Sequence, residues 1–149
     1  MHRSVLGLTV MAALLGAPVL ASAQEAPSLS EPQLLTSADA AVKSGDTDSA
    51  VQLYQSAIIY SPGDPVPYLR LGELYMRQSQ TELARQYFSL ALDVQPAYAP
   101  ALQGLALLDL ATGDRAGAQA QHEVLLRACG ATCPETAQVE KALNTSSPR

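Results

Sequence analysis

One period organises this chain. Ala50, Ala84 and Ala118 recur at a shift of 34 residues, and so do Gly45, Ser79 and Gly113. Tyr54, Phe88 and His122 coincide at the same shift, followed by Ala57, Ala91 and Leu125. Pro62 and Pro96 align, with Gly130 in the third place. Gap-free matching at one fixed spacing marks a stack of supersecondary units, none of which buries its apolar face alone.

Each unit reads as two helices. In residues 65–98, Asp64 before Pro65 supplies an N-cap acceptor and a proline at the first helical position. Tyr68, Leu71, Leu74 and Tyr75 fall three or four apart, on one helical face. The run Ser79-Gln80-Thr81-Glu82 predicts a capping box that opens a second helix. Leu83, Ala84, Tyr87, Phe88, Ala91 and Leu92 give that helix its stripe, and Pro96 ends it. Ala84, Ala91 and Gly72 are small where two backbones approach closely.

These residues resemble the tetratricopeptide repeat family of 34-residue helix–turn–helix units. Residues 65–98 carry the family pattern at Tyr68, Leu71, Gly72, Tyr75, Ala84, Phe88, Ala91 and Pro96. Residues 31–64 keep its second half in Ala50, Tyr54, Ala57 and Pro62, with Leu34, Ser37, Ala38 and Ala41 in the first half. Residues 99–132 keep Leu102, Leu105, Ala106, Gly113, Ala118 and Leu125, but place Asp109 and His122 where aromatics are usual. The fold implied is an all-α right-handed solenoid of three such repeats, 31–64, 65–98 and 99–132, plus a C-terminal capping helix over 133–143. In that helix Val139, Ala142 and Leu143 face the stack, and Thr132 and Glu135 have capping-box spacing. The leader 24–30 and the tail 144–149 read as disordered.

The N-terminus carries an address. His2 and Arg3 precede an uncharged, mostly apolar run from Val5 to Leu15, broken by Gly16 and Pro18, and Ala21-Ser22-Ala23 is a small-x-small site. This is the layout of a secretory signal peptide over residues 1–23, cleaved after Ala23 to leave Gln24 first. The expected mature chain is periplasmic or secreted, with no membrane insertion. Losing Arg3 takes the nine basic residues to eight against 14 acidic ones, a net of −6. The basic residues are scattered singly along the sequence, without the cationic face that nucleic acid requires.

Little in the chain suggests catalysis. His122 is the one histidine of the mature chain and aligns with packing positions; a hydrogen bond between it and Asp109 across the helix pair is expected. Cys129 and Cys133 are the only cysteines. An exported chain favours a disulfide between them, stapling the cap to the stack. The alternatives are a redox-active pair, although thiol–disulfide enzymes generally space their cysteines by two residues, and zinc, for which two cysteines and a distant His122 are too few. No cofactor or metal is expected, and the chain reads as a non-enzyme.

The resemblance implies a groove lined by the first helix of each repeat, where a partner protein or peptide segment binds. Its positions here are Leu35, Asp39, Val42 and Lys43; Leu69, Glu73, Met76 and Arg77; and Gln103, Leu107 and Leu110. Mixed apolar and charged character suits a segment held by apolar anchors and oriented by charge. The set that grips chaperone terminal carboxylates would fall on Leu35, Asp39, Arg70, Pro100 and Gly104, of which only Arg70 can serve. A thiol-redox protein and a self-associating structural component are the alternative readings.

Overall fold

The computed structural model describes residues 29–146; the expected signal peptide over 1–23 and most of the expected leader over 24–30, with residues 147–149, lie outside them. Seven helices and no strand occur among the described residues: α1 Glu31–Ser44, α2 Thr47–Tyr60, α3 Pro65–Arg77, α4 Thr81–Val94, α5 Ala99–Thr112, α6 Arg115–Cys129 and α7 Pro134–Thr145. None is long and apolar enough to cross a membrane. The chain is all-α, a helical repeat.

Three hairpins, α1/α2, α3/α4 and α5/α6, turn in the same way. In each, a residue just past the first helix is left-handed: Gly45 at φ 81° and Gly113 at 85° directly after α1 and α5, and Ser79 at 59° one residue beyond the Gln78 C-cap of α3. The next N–H closes back on the helix, from Asp46 to the Ala41 carbonyl (2.9 Å), Gln80 to Tyr75 (2.9 Å) and Asp114 to Asp109 (2.8 Å). This is the six-to-one closure that satisfies the last helical carbonyls. Asp46 and Asp114 then cap the following helices by accepting from Ser49 N–H (3.1 Å) and Gly117 N–H (2.9 Å). The expected capping box at Ser79 does not form. Ser79 fills the left-handed place that glycine takes in the other turns, and Gln80 is the N-cap of α4 without a side-chain capping bond. Likewise Thr132 does not cap α7. Cys133 takes the N-cap place with no side-chain capping bond, and the helix runs past Leu143 to Thr145. A capping arrangement does occur at α1, where Gln33 Oε1 accepts from Ser30 N–H at 2.9 Å.

The hairpins stack through α2 on α3 and α4 on α5, while α3 meets α5 and α5 meets α7. The odd-numbered helices therefore form one row, and α7 extends it past the third hairpin. Phe88 is the central pin. Its ring is fully buried, and a Cβ added at Gly72 of α3 or Gly104 of α5 would sit 2.6 Å from it. Gly72 is small to admit a ring as well as a backbone, and Gly104 shares that role. On one side of this cluster lie Ala38, Ala50, Tyr54, Leu71 and Leu74; on the other, Leu102, Leu125, Val139 and Leu143 bury α7 against the third hairpin.

The two polar intruders of the third repeat do not pair with each other. Asp109 is only 2% exposed, and Arg85 of α4 donates to it from Nη1 at 2.6 Å. His122 Nε2 is buried without a hydrogen-bond partner among the described residues. Arg85 wins because α4 packs on α5, which lets its long side chain reach a carboxylate one repeat away.

Candidate functional site

An open cavity of about 230 Å³ lies between α1 and α3, lined by Asp39, Val42, Lys43, Arg70, Glu73 and Arg77 of those helices and Tyr54 of α2. Asp39, Val42 and Lys43 come from α1, and Glu73 and Arg77 from the places 34 residues on in α3. Equivalent positions on successive hairpins share one face of the row, which brings these side chains together.

Tyr54 and Arg70 are the lining residues that the groove positions did not include. Tyr54 aligns with Phe88, and Arg70 aligns with Gly104, the glycine that Phe88 covers. In the first repeat the ring therefore meets a long cation, and its hydroxyl turns to hydrogen-bonding. Tyr54 Oη donates to Asp39 Oδ1 at 2.5 Å, and Arg70 Nε lies 3.9 Å from that same oxygen. Arg70 Nη1 also donates to Glu73 Oε2 at 3.0 Å. Burial raises the Tyr54 phenol above its ordinary pKa, and the hydrogen bond and negative charge of Asp39 raise it further. The alignment of aromatics was visible in the sequence; that this one would reach the groove depended on what stood at residue 70.

The remaining groove positions are dispersed. Leu35 packs beside the buried Ala38 cluster. Leu69 is 5% exposed, among Phe88, Leu105 and Leu108, so it belongs to the core and presents no surface. Met76 borders that cluster, half-buried. Gln103 donates from Nε2 to Gln138 Oε1 of α7 at 2.6 Å. Leu107 lines a second cavity of about 360 Å³ with Gln138, Lys141, Ala142 and Thr145. Leu110 packs against the Leu102–Val139 cluster. Helix α7 thus acts on the row as the first helix of another hairpin would. Of the carboxylate-gripping places, Arg70 is engaged by Glu73 and Asp39, and Gly104 lies under the Phe88 ring.

Cys129 ends α6 and Cys133 precedes α7, with Cα atoms 5.6 Å apart and the sulfurs within bonding distance. The Thr136 hydroxyl stands 3.6 Å from Cys129 Sγ. The Glu135 carboxylate joins them, giving three potential metal donors within 4.8 Å, one more than the cysteine spacing alone suggested. Sulfurs bonded to each other offer no thiolate to a metal.

Residues 41–92 match the family model for the tetratricopeptide repeat. The tetratricopeptide repeat and J domain-containing co-chaperone DNJ1 of Fusarium oxysporum f. sp. lycopersici is 31% identical over 124 residues, 82% of this chain and 24% of that protein. The chain spans about a quarter of the length of this curated relative. Among solved structures, the tetratricopeptide domain of Sgt2 from Aspergillus fumigatus is 25% identical at a TM-score of 0.67, covering 81% of this chain and 79% of that one. The Yersinia enterocolitica type III secretion chaperone SycD, in complex with a peptide of the translocator YopD, is 21% identical at a TM-score of 0.68, covering 77% of this chain and 90% of that one. The 34-residue hairpins, the match over residues 41–92 and the shared architecture make this chain similar to the tetratricopeptide repeat family and give it the same fold.

Proposed function

We propose that this protein is a non-catalytic interaction module, exported to the periplasm, which holds a segment of a partner protein along its odd-numbered helices. One observation carries the reading: Asp39, Val42, Lys43, Glu73 and Arg77, from two different repeats, line one open cavity. A mixed lining of this kind anchors a segment through apolar contact and sets its direction by charge. The SycD structure, which shares the fold, is a complex with a peptide. His122 Nε2 is buried and makes no hydrogen bond to a nucleophile among the described residues.

Export is supported by the basic start, the apolar run and the Ala21-Ser22-Ala23 site. The cysteine pair then serves as a disulfide that fastens α7 to the end of α6. Capture from an envelope fraction tests the binding reading, with the protein as bait beside a Val42→Ser, Met76→Ser variant of unchanged helicity. A protein retained by the first bait and lost by the second supports a groove partner; identical capture by both moves the site elsewhere. Mass measurement of the periplasmic form, before and after alkylation without reductant, should find Gln24 first and no free thiol. Full-length protein confined to the cytoplasm would overturn export.

A further inference from the structure

Folding gathers cations that the sequence keeps apart. Of the nine Lys and Arg residues, Lys43, Arg70 and Arg77 all line the α1/α3 cavity, beside Asp39 and Glu73 of the 14 acids. Those two acids are already engaged. Asp39 accepts from Tyr54 Oη and faces Arg70, while Glu73 is paired with Arg70 at 3.0 Å. Arg70 is shared between them, so its charge is neutralised inside the cavity. Lys43 and Arg77 are different. Both are exposed, in the last turns of α1 and α3, and neither makes an ion pair or side-chain hydrogen bond among the described residues.

The cavity therefore carries three cations against two acids, a net of +1, and its two unengaged cations stand at the mouth, in a chain whose formal net charge is −5. An acidic ligand is repelled by the molecule as a whole and attracted here, a contrast that confers selectivity as well as affinity. Resting on the groove reading, we propose that Lys43 and Arg77 recognise two acidic side chains of an extended partner segment. Both cations line one cavity of about 230 Å³, so the acids lie close together in the partner. An extended chain returns side chains to the same face at every second residue, which places the acids at i and i+2.

A random library of decapeptides, acetylated and amidated so that no terminal carboxylate competes, tests this with the full chain. The comparison proteins are Lys43→Ser/Arg77→Ser and the Val42→Ser/Met76→Ser variant. Retained peptides should be enriched in Asp or Glu at i and i+2. A selected peptide should bind the cation-free variant roughly fivefold or more weakly, the combined effect expected of two partly exposed ion pairs. The same peptide should weaken in about 0.5 M salt, where screening is short-ranged. Both cations are exposed and unpaired, so helicity and melting should not change. Peptides without acidic enrichment, or enrichment equal in the cation-free variant, would overturn the acidic specificity; if Val42→Ser/Met76→Ser still abolished their binding, the groove reading would stand. Retention of no peptide would overturn both.

Discussion

At the scale of single residues, three side chains carry most of what can be tested about stability. Phe88 fills the space left by Gly72 and Gly104, so Gly72→Ala or Gly104→Ala puts a methyl group into the ring. Overpacking of this kind should cost about 1–3 kcal/mol, read as a lower urea midpoint, and adding Phe88→Leu should recover part of it. Asp109 is buried and held by Arg85, so Arg85→Ala leaves a carboxylate without its counter-charge. That substitution should cost about 3–5 kcal/mol, while Arg85→Met with Asp109→Leu should cost much less, because then no charge stays buried. Tyr54 titrates above its ordinary pKa through burial and Asp39. Folding therefore disfavours its ionised form. The stabilisation is full below about pH 10, the unfolded value, and is lost as pH rises through the higher folded value. Chemical denaturation from pH 8 upward, compared with Tyr54→Phe, should show the two stabilities converging only in the alkaline range; a constant difference would contradict it.

At the scale of elements, the three hairpin turns differ in sequence and share a geometry. The second turn places Ser79 in the left-handed region and starts α4 from Gln80 without a side-chain cap, whereas the others use a glycine and an aspartate. Ser79→Gly relieves a Cβ clash, and Gln80→Asp supplies an acceptor for the open N–H groups of α4. Each should add roughly 0.5–1 kcal/mol, and together they should raise the melting temperature by several degrees; no change would mean that this turn is relaxed as it stands. This is a place where the repeat itself was legible and its local chemistry was not. Ser79 followed by Glu82 has the spacing of a capping box, yet alignment with Gly45 and Gly113 already pointed to a left-handed residue. The geometry of the shared turn prevails, because the Gln80-to-Tyr75 hydrogen bond requires the chain to reverse at residue 79.

At the scale of the whole molecule, stability comes from neighbour upon neighbour, and α7 is the last neighbour. It buries Val139 and Leu143 against Leu102 and Leu125, and the Leu143 carbonyl accepts from Arg115 Nη1 at 2.8 Å. Removing residues 134–149 should expose that surface. Burial of about 1.5–3 kcal/mol per large apolar side chain would be lost, and the third hairpin should unfold first in hydrogen exchange. Cys129→Ser/Cys133→Ser leaves the same contacts in place, so it should lower the melting point far less than the truncation does. If the truncated chain kept full protection in α5 and α6, the cap would have no structural role.

The sequence by itself determined the architecture: a period of 34 residues, two helices within each period and a short cap follow from apolar spacing, small residues and prolines, all of which act locally or between adjacent units. The resemblance to the repeat family added an expectation of which face of the odd-numbered helices would line a groove. Which groove positions remained available was decided by tertiary packing. Leu69 sinks into the core, Leu110 packs toward α7, Tyr54 reaches Asp39 because Arg70 stands where Phe88 finds a glycine, and Asp109 pairs with Arg85 instead of His122. Read along the chain, the basic residues lie singly; stacking superposes positions one period apart and brings Lys43, Arg70 and Arg77 to one cavity. Helical periodicity is a property of neighbours in sequence, whereas the charge of a groove is a sum over residues that only folding brings close.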